Sequence, residues 1–219
     1  MRLAIFDLDG TITRRDTLLP FLWCYARGHL GRLPRVILAL PAALRFLIDR
    51  DRGRFKGTLI HAVMGGATVA QVEAVADAFV PQLLRHGVHS EALRALQRHR
   101  SEGARCVLLS ASTDLYVPRL GAALGFDQVV CTPVRWLGNR LDGHLAGPNR
   151  RGEEKRRCVA ELLAHWRPEY STAYGNAASD LAHMSLVDEA FLVNGSPAAR
   201  RRAQASRPVH TRMHCISWS

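Results

Sequence analysis

Six residues into the chain, in MRLAIFDLDGTITRRD, an apolar run stops at two aspartates separated by one leucine. Alternate residues of an extended strand point the same way, so Asp7 and Asp9 project to one side of the strand end and Leu8 to the other. Two adjacent carboxylates repel each other and are pushed toward protonation unless a cation is shared between them. Mg²⁺ suits that position, because it is held through one or two carboxylates and keeps open positions for water and phosphate oxygens. Gly10 lets the chain turn sharply there, and the amides that follow, with the Thr11 hydroxyl, can donate to an anion. Taken alone, the run also reads as a strand end followed by a capped turn.

At 219 residues and 47% apolar content, the chain can bury a full core as one domain, or as a domain with an insert. Short apolar runs at 3–7, 106–111, 171–174 and 190–194 predict strands, each followed by polar or small residues. They alternate with helical patterns, which predicts a parallel sheet covered by helices, with ligands gathered at the carboxyl ends of the strands. Between the first and second strands lie some 90 residues that read as helix almost throughout. One of these helices starts with Thr68 and Gln71 in capping-box spacing and lays Val69, Val72, Val75, Ala76, Phe79, Val80 and Leu83 along one face. This block, residues 14–87, is expected to be a helical cap over the strand ends, able to act as a lid. Residues 1–13 and 88–219 then form the core domain, with a hairpin around 129–145 turning at Gly138-Asn139 and Asp142-Gly143.

Thirty Lys and Arg against nineteen Asp and Glu give a formal charge of +11, which predicts an anionic partner without saying which. Nucleic acid is not expected. ARRRAQASR at residues 199–207 lacks interleaved aromatics and reads as a solvated helix face, and the ten histidines show no zinc spacing, His86 and His89 having no nearby partners. Five scattered cysteines and no signal-peptide pattern predict a reduced, cytoplasmic protein with thiols packed as small hydrophobes. The longest apolar stretch, residues 33–48, is interrupted by Arg35, Pro41 and Arg45 and is too short to span a bilayer. It reads as a buried helix, or alternatively as an interfacial helix on an anionic membrane surface at the inner face of the membrane. The oligomeric state is left open.

Three further fragments repeat the design of a strand followed by polar residues. CVLLSAST puts Ser110 at a strand's carboxyl end, GPNRRGEEKRRC puts Lys155 near a helix start, and AYGNAASDLAHM leaves a strand through Gly175 and Asn176 before a helix near Asp180. Singly, each has an ordinary reading as a turn residue, a solvated lysine or an N-cap. Together and in this order, the four fragments resemble the four motifs of the haloacid dehalogenase (HAD) superfamily of phosphohydrolases, over nearly the whole chain. With the cap after the first motif and the runs S-A-S, Y-V and G-x-x-K, the sequence is similar to the phosphoserine-phosphatase-like subgroup, subfamily IB.

The resemblance implies an α/β fold with a Rossmann-like parallel core and an inserted helical C1-type cap. It further implies a Mg²⁺-dependent phosphatase acting on a phosphorylated small molecule. Asp7 would attack phosphorus to form an aspartyl-phosphate, and Asp9 would serve as acid and then base. Gly10, Thr11, Ser110 and Lys155 would hold the phosphoryl group, and Asp7, the backbone carbonyl of Asp9, Asn176 and Asp180 would hold the metal. Many members carry an aspartate where this chain has Asn176, which implies weaker metal binding and keeps open a catalytically silent phosphate-binding module. For substrate choice the resemblance points to Asp16. The arginine that binds the carboxylate in phosphoserine phosphatases is replaced by Ala62, which argues against phosphoserine, with Arg54 or Lys56 left to substitute. A small soluble phosphomonoester is the first expectation. A lipid phosphate such as phosphatidylglycerophosphate or lysophosphatidate, met at the membrane surface, is the second.

Overall fold

A computed structural model describes residues 1–31, 37, 51–206 and 210–219. Its elements run β1 (Arg2–Phe6), α1 (Leu18–Arg27), α2 (Arg52–Met64), α3 (Val69–His86), α4 (Ser90–Ser101), β2 (Arg105–Thr113), α5 (Val117–Leu124) and β3 (Gln128–Thr132). They continue with β4 (Val134–Leu137), β5 (Arg140–Leu145), α6 (Glu153–Trp166), β6 (Tyr170–Gly175), α7 (Leu181–Met184), β7 (Glu189–Val193), α8 (Pro197–Ser206) and β8 (Arg212–Ile216). Apart from Ile37, the apolar 33–48 stretch lies outside the described residues, so neither reading of it is addressed. No helix among the described residues is long and apolar enough to cross a membrane.

Six strands form one sheet in the order β3-β2-β1-β6-β7-β8, and every pairing is parallel. Because helices cover both faces, the central strands are apolar on both sides. Leu3 and Ile5 pack with Val159 and Leu162 of α6, whereas Ala4 and Phe6 face the opposite cluster with Ala95 and Leu96 of α4. Across that second face Phe6, Tyr174, Phe191 and His214 stack in register on β1, β6, β7 and β8, with centroids 4.5, 4.8 and 5.0 Å apart. The chain winds away from β1 in both directions, so the crevice at the carboxyl ends of β1 and β6 is where a doubly wound sheet takes its ligand.

The inserted helices share one apolar cluster with the sheet. Phe21 of α1, Phe79 of α3 and Tyr116 before α5 meet as three rings with centroids 4.6 to 5.5 Å apart. The capping box of α3 forms as expected, but Val69 at its start is exposed. Both passages into the insert lie side by side: Arg14 N donates to Gly87 O at 2.8 Å, and His89 N to Ile12 O at 3.0 Å.

The hairpin is shorter than expected. β4 and β5 turn at Gly138-Asn139, but Asp142-Gly143 lies inside β5, and residues 129–132 belong to β3 of the main sheet. Gly143 there has φ +94, and a Cβ on it would sit 2.6 Å from His61 N, so the glycine lets α2 press backbone to backbone against β5. That contact gathers His61, Asp142 and His144, a His-rich grouping that linear spacing does not reveal. His89 is buried rather than partnerless, with Nδ1 3.1 Å from Ser219 O. The edge strand β8 carries no apolar run in the sequence because most of its residues are exposed. All five cysteines are free, and Cys215, unlike the others, is exposed.

Candidate active site

β1 delivers Phe6 into the aromatic stack and Asp7 into a cavity of about 330 Å³ beyond the strand ends. Asp7 is buried, and its Oδ1 accepts from Lys155 Nζ at 2.5 Å while its Oδ2 accepts from the Thr11 hydroxyl at 3.0 Å. Lys155, in the first turn of α6, also donates to Asp180 Oδ1 at 2.9 Å. The other oxygen of Asp180 accepts from the amides of Asn176 and Ala177, which fixes the loop after β6. Gly10, with φ +79, is pressed against this loop, and a Cβ on it would fall 2.0 Å from Asn176 Nδ2. Any side chain at position 10 would therefore push the two loops apart.

Asp9 is held differently. Its Oδ1 accepts from the amide and the hydroxyl of Thr17 at 2.8 and 2.6 Å, and its Oδ2 from the Ser112 hydroxyl at 2.6 Å. Thr17 Oγ1 lies 2.7 Å from the buried Tyr116 hydroxyl and, already donating to Asp9, accepts from it. Thr17, Ser112 and Tyr116 are absent from the sequence-derived site. Ser112 could have been found by continuing the alternation past Ser110, but Thr17 and Tyr116 are joined only by packing of α1 against α5.

Electrostatics separates the carboxylates. Burial raises Asp7 above the usual carboxylate range, and Asp180 and Asp9 add to this while Lys155 opposes it. Asp9 is raised too, mainly by burial, although the Ser112 and Thr17 hydrogen bonds pull the other way. Asp180 is buried as well, but Lys155 and the loop amides hold it low. Lys155 stays charged despite burial because two carboxylates face it. Lys155 therefore bonds Asp7 and Asp180 but not Asp9, and three carboxylates share the deep end of the cavity with an ammonium that pairs with two of them. With Asn176 beside them the donors are all hard oxygens, a set that fits a divalent cation such as Mg²⁺.

The remaining expected residues divide. Asp16 and Lys56 line the same cavity, with Asp16 Oδ1 also accepting from Leu18 N at the start of α1. Lys56 Nζ donates to Ala111 O and Asn149 Oδ1 at 2.6 and 2.9 Å, and burial lowers its pKa to about 8. Ser110 is fully buried behind the cavity wall, where its Oγ accepts from Ser112 N, and Ala111 and Ser112 form the wall itself. Arg54 points into a neighbouring open basin of about 740 Å³ and pairs with Asp51. Ala62 is buried in α2 and lines neither space.

A parallel sheet thus brings carboxylates, an ammonium and a tight glycine turn together at its switch point. Residues 4–185 match the family of haloacid dehalogenase-like hydrolases, and the chain belongs to that family. It is 34% identical over 207 residues to protein CicA of Caulobacter vibrioides, covering 90% of this chain and 88% of that protein. It is 28% identical over 223 residues to a probable phosphatase of Mycobacterium tuberculosis, covering 95% of this chain and 77% of the other. Its fold resembles that of phosphoserine phosphatase in apo form, with a TM-score of 0.64 at 12% identity over 98% of this chain and 92% of that one.

Proposed function

We propose that this chain is a Mg²⁺-dependent phosphatase that hydrolyses a phosphomonoester in two steps through a phosphorylated Asp7. The observation that carries the reading is the convergence of Asp7, Asp9, Lys155 and Asp180 on one cavity at the strand ends. In the first step a carboxylate oxygen of Asp7 bonds to phosphorus as the ester P–O bond breaks, and protonated Asp9 gives its proton to the departing alkoxide. Burial, which favours the protonated form of Asp9, supports that role. In the second step Asp9 takes a proton from water as the water oxygen bonds to phosphorus and the Asp7–phosphorus bond breaks, releasing phosphate.

Lys155 uses two of its three N–H donors on Asp7 and Asp180, which leaves the third for a phosphoryl oxygen. Thr11 orients Asp7 through its hydroxyl, while the amides of Thr11 and Thr13 close the turn on Leu8 O. Held by Asp7, the backbone carbonyl of Asp9, Asn176 and Asp180, Mg²⁺ would supply neutralisation of the phosphoryl charge. In this reading residues 14–87 act as the cap, entered and left through the paired passages at Ile12–Arg14 and Gly87–His89. A fall in p-nitrophenyl phosphate hydrolysis to background on chelation, restored by Mg²⁺, tests the proposal. A rate indifferent to Mg²⁺ contradicts it, and no rate at all favours a silent phosphate-binding module.

The first reading of the substrate is a small soluble phosphomonoester. One observation favours a lipid phosphate: Leu18, Leu19, Phe55 and Leu59 line one wall of the cavity, and Leu19 and Trp23 of α1 are exposed beside it. Sedimentation with anionic liposomes at low salt separates the two, because binding supports the lipid reading and its absence removes it.

A further inference from the structure

The cations of the cavity divide into two kinds. Lys155 and Lys56 are deep and committed, the first to Asp7 and Asp180, the second to Ala111 and Asn149. Arg52, in the first turn of α2, and Arg151, just before α6, are exposed, and neither guanidinium has an ion pair or hydrogen bond among the described residues. Both arginines, and Asn149 with them, line the catalytic cavity and also the outer basin of about 740 Å³. They stand on the divide between the two spaces, beyond the reacting group at Asp7. Neighbouring guanidinium groups, by contrast, are paired: Arg54, two residues on, with Asp51, and Arg150 with Glu154. A planar fork of donors left without a partner at a cavity mouth is suited to a phosphate, phosphodiester or carboxylate.

We infer that Arg52 and Arg151 form a second anion subsite, so that the substrate is a phosphomonoester whose alcohol carries another anionic group reaching toward the outer basin. The inference rests on the phosphatase reading of the deep end and adds the substrate class. The apolar wall at Leu18, Leu19 and Phe55 receives the part of the alcohol between or beside its two anions. A soluble bisphosphate and a lipid headgroup with a phosphodiester share this chemistry.

Two matched pairs of esters test it. Fructose 1,6-bisphosphate and fructose 6-phosphate differ by the second anion in solution; phosphatidylglycerophosphate and phosphatidate, both diacylated, differ by it and its glycerol in the same detergent micelles. In at least one pair the ester with the second anion is expected to show a KM lower by about tenfold, a preference abolished in the Arg52→Ala/Arg151→Ala double variant. Hydrolysis of p-nitrophenyl phosphate by that variant is expected to stay within about twofold of the unaltered protein, because both arginines lie beyond the reacting group. Which pair responds identifies the source of the anion. Equal KM values within both pairs, a preference that survives in the double variant, or an equal loss on p-nitrophenyl phosphate overturns the subsite. Calorimetric binding of the same esters to Asp7→Asn protein, with and without the two arginines, reads the subsite free of turnover. Discriminating binding without hydrolysis by the unaltered protein overturns the phosphatase reading alone, and equal binding overturns the subsite alone.

Discussion

Lys155 Nζ lies 2.5 Å from Asp7 Oδ1 although 148 residues separate the two in the chain. The ammonium is the hub of the deep end, since Asp180 reaches it from a third element. Lys155→Met keeps the volume and removes the charge, leaving two buried carboxylates to face each other. Breaking such a buried pair costs about 3–5 kcal/mol, so the melting temperature is expected to fall. Turnover is expected to drop by about 10²–10³, as when a donor to a developing anion is removed. Thermal denaturation together with steady-state kinetics checks both.

The chain Tyr116–Thr17–Asp9 predicts a separate effect. Thr17→Val removes the hydroxyl and its hydrogen bond to Asp9, one of the bonds holding the Asp9 carboxyl down against burial. The Asp9 pKa is then expected to rise, moving the alkaline limb of the kcat profile to higher pH, with kcat reduced by about tenfold. Tyr116→Phe should give a smaller shift in the same direction. A lowered kcat with an unmoved pH profile would assign Thr17 to packing only.

Asn176 supplies a neutral oxygen where a carboxylate would add charge. Asn176→Asp is expected to lower the Mg²⁺ concentration for half-maximal activity by about tenfold, since the charge of the ligands tunes affinity for hard cations. Titration of activity with Mg²⁺ checks it.

His183 is buried, and its Nδ1 has no hydrogen-bond partner among the described residues. Burial lowers its pKa from 6.5 to about 3, with the Lys155 charge adding to the effect. The unfolded chain therefore takes up a proton that the folded chain refuses. This contribution to stability is complete above pH 6.5 and is lost as pH falls toward 3, at about 1.4 kcal/mol per pH unit. Asp7, raised by burial, acts with the opposite sign over part of the same range. Denaturant melts of His183→Leu alongside the unaltered protein isolate the histidine: the variant should lose less stability on acidification.

Much of the deep site was legible in the sequence for a simple reason. Asp7, Lys155, Asn176 and Asp180 each follow an apolar run or open a helix, so local pattern locates them and the parallel sheet brings their ends together. Pattern places Ser110 near the end of β2 but does not reveal that the strand runs on to Thr113, with Ala111 and Ser112 lining the cavity. Arg52, Arg151, Thr17 and Tyr116 were not legible, since their roles depend on how α1 and α2 pack across the strand ends. Arg52 and Arg54 cannot be told apart by pattern; only the packing of α2 against β5 sets Arg52 on the divide between cavity and basin and leaves Arg54 in the basin alone. The β8 strand escaped notice because an edge strand need not be apolar.

The central claim is that phosphorus becomes bonded to Asp7 during turnover. Acid-quenched protein from a reaction with p-nitrophenyl phosphate and Mg²⁺ can be treated with borohydride, which reduces an acyl phosphate to the alcohol and converts the aspartate to homoserine. Peptide mass spectrometry is expected to find homoserine at position 7 in the presence of substrate and not without it. Continued turnover with Asp7 unmodified, or with the modification on another carboxylate, would contradict the account.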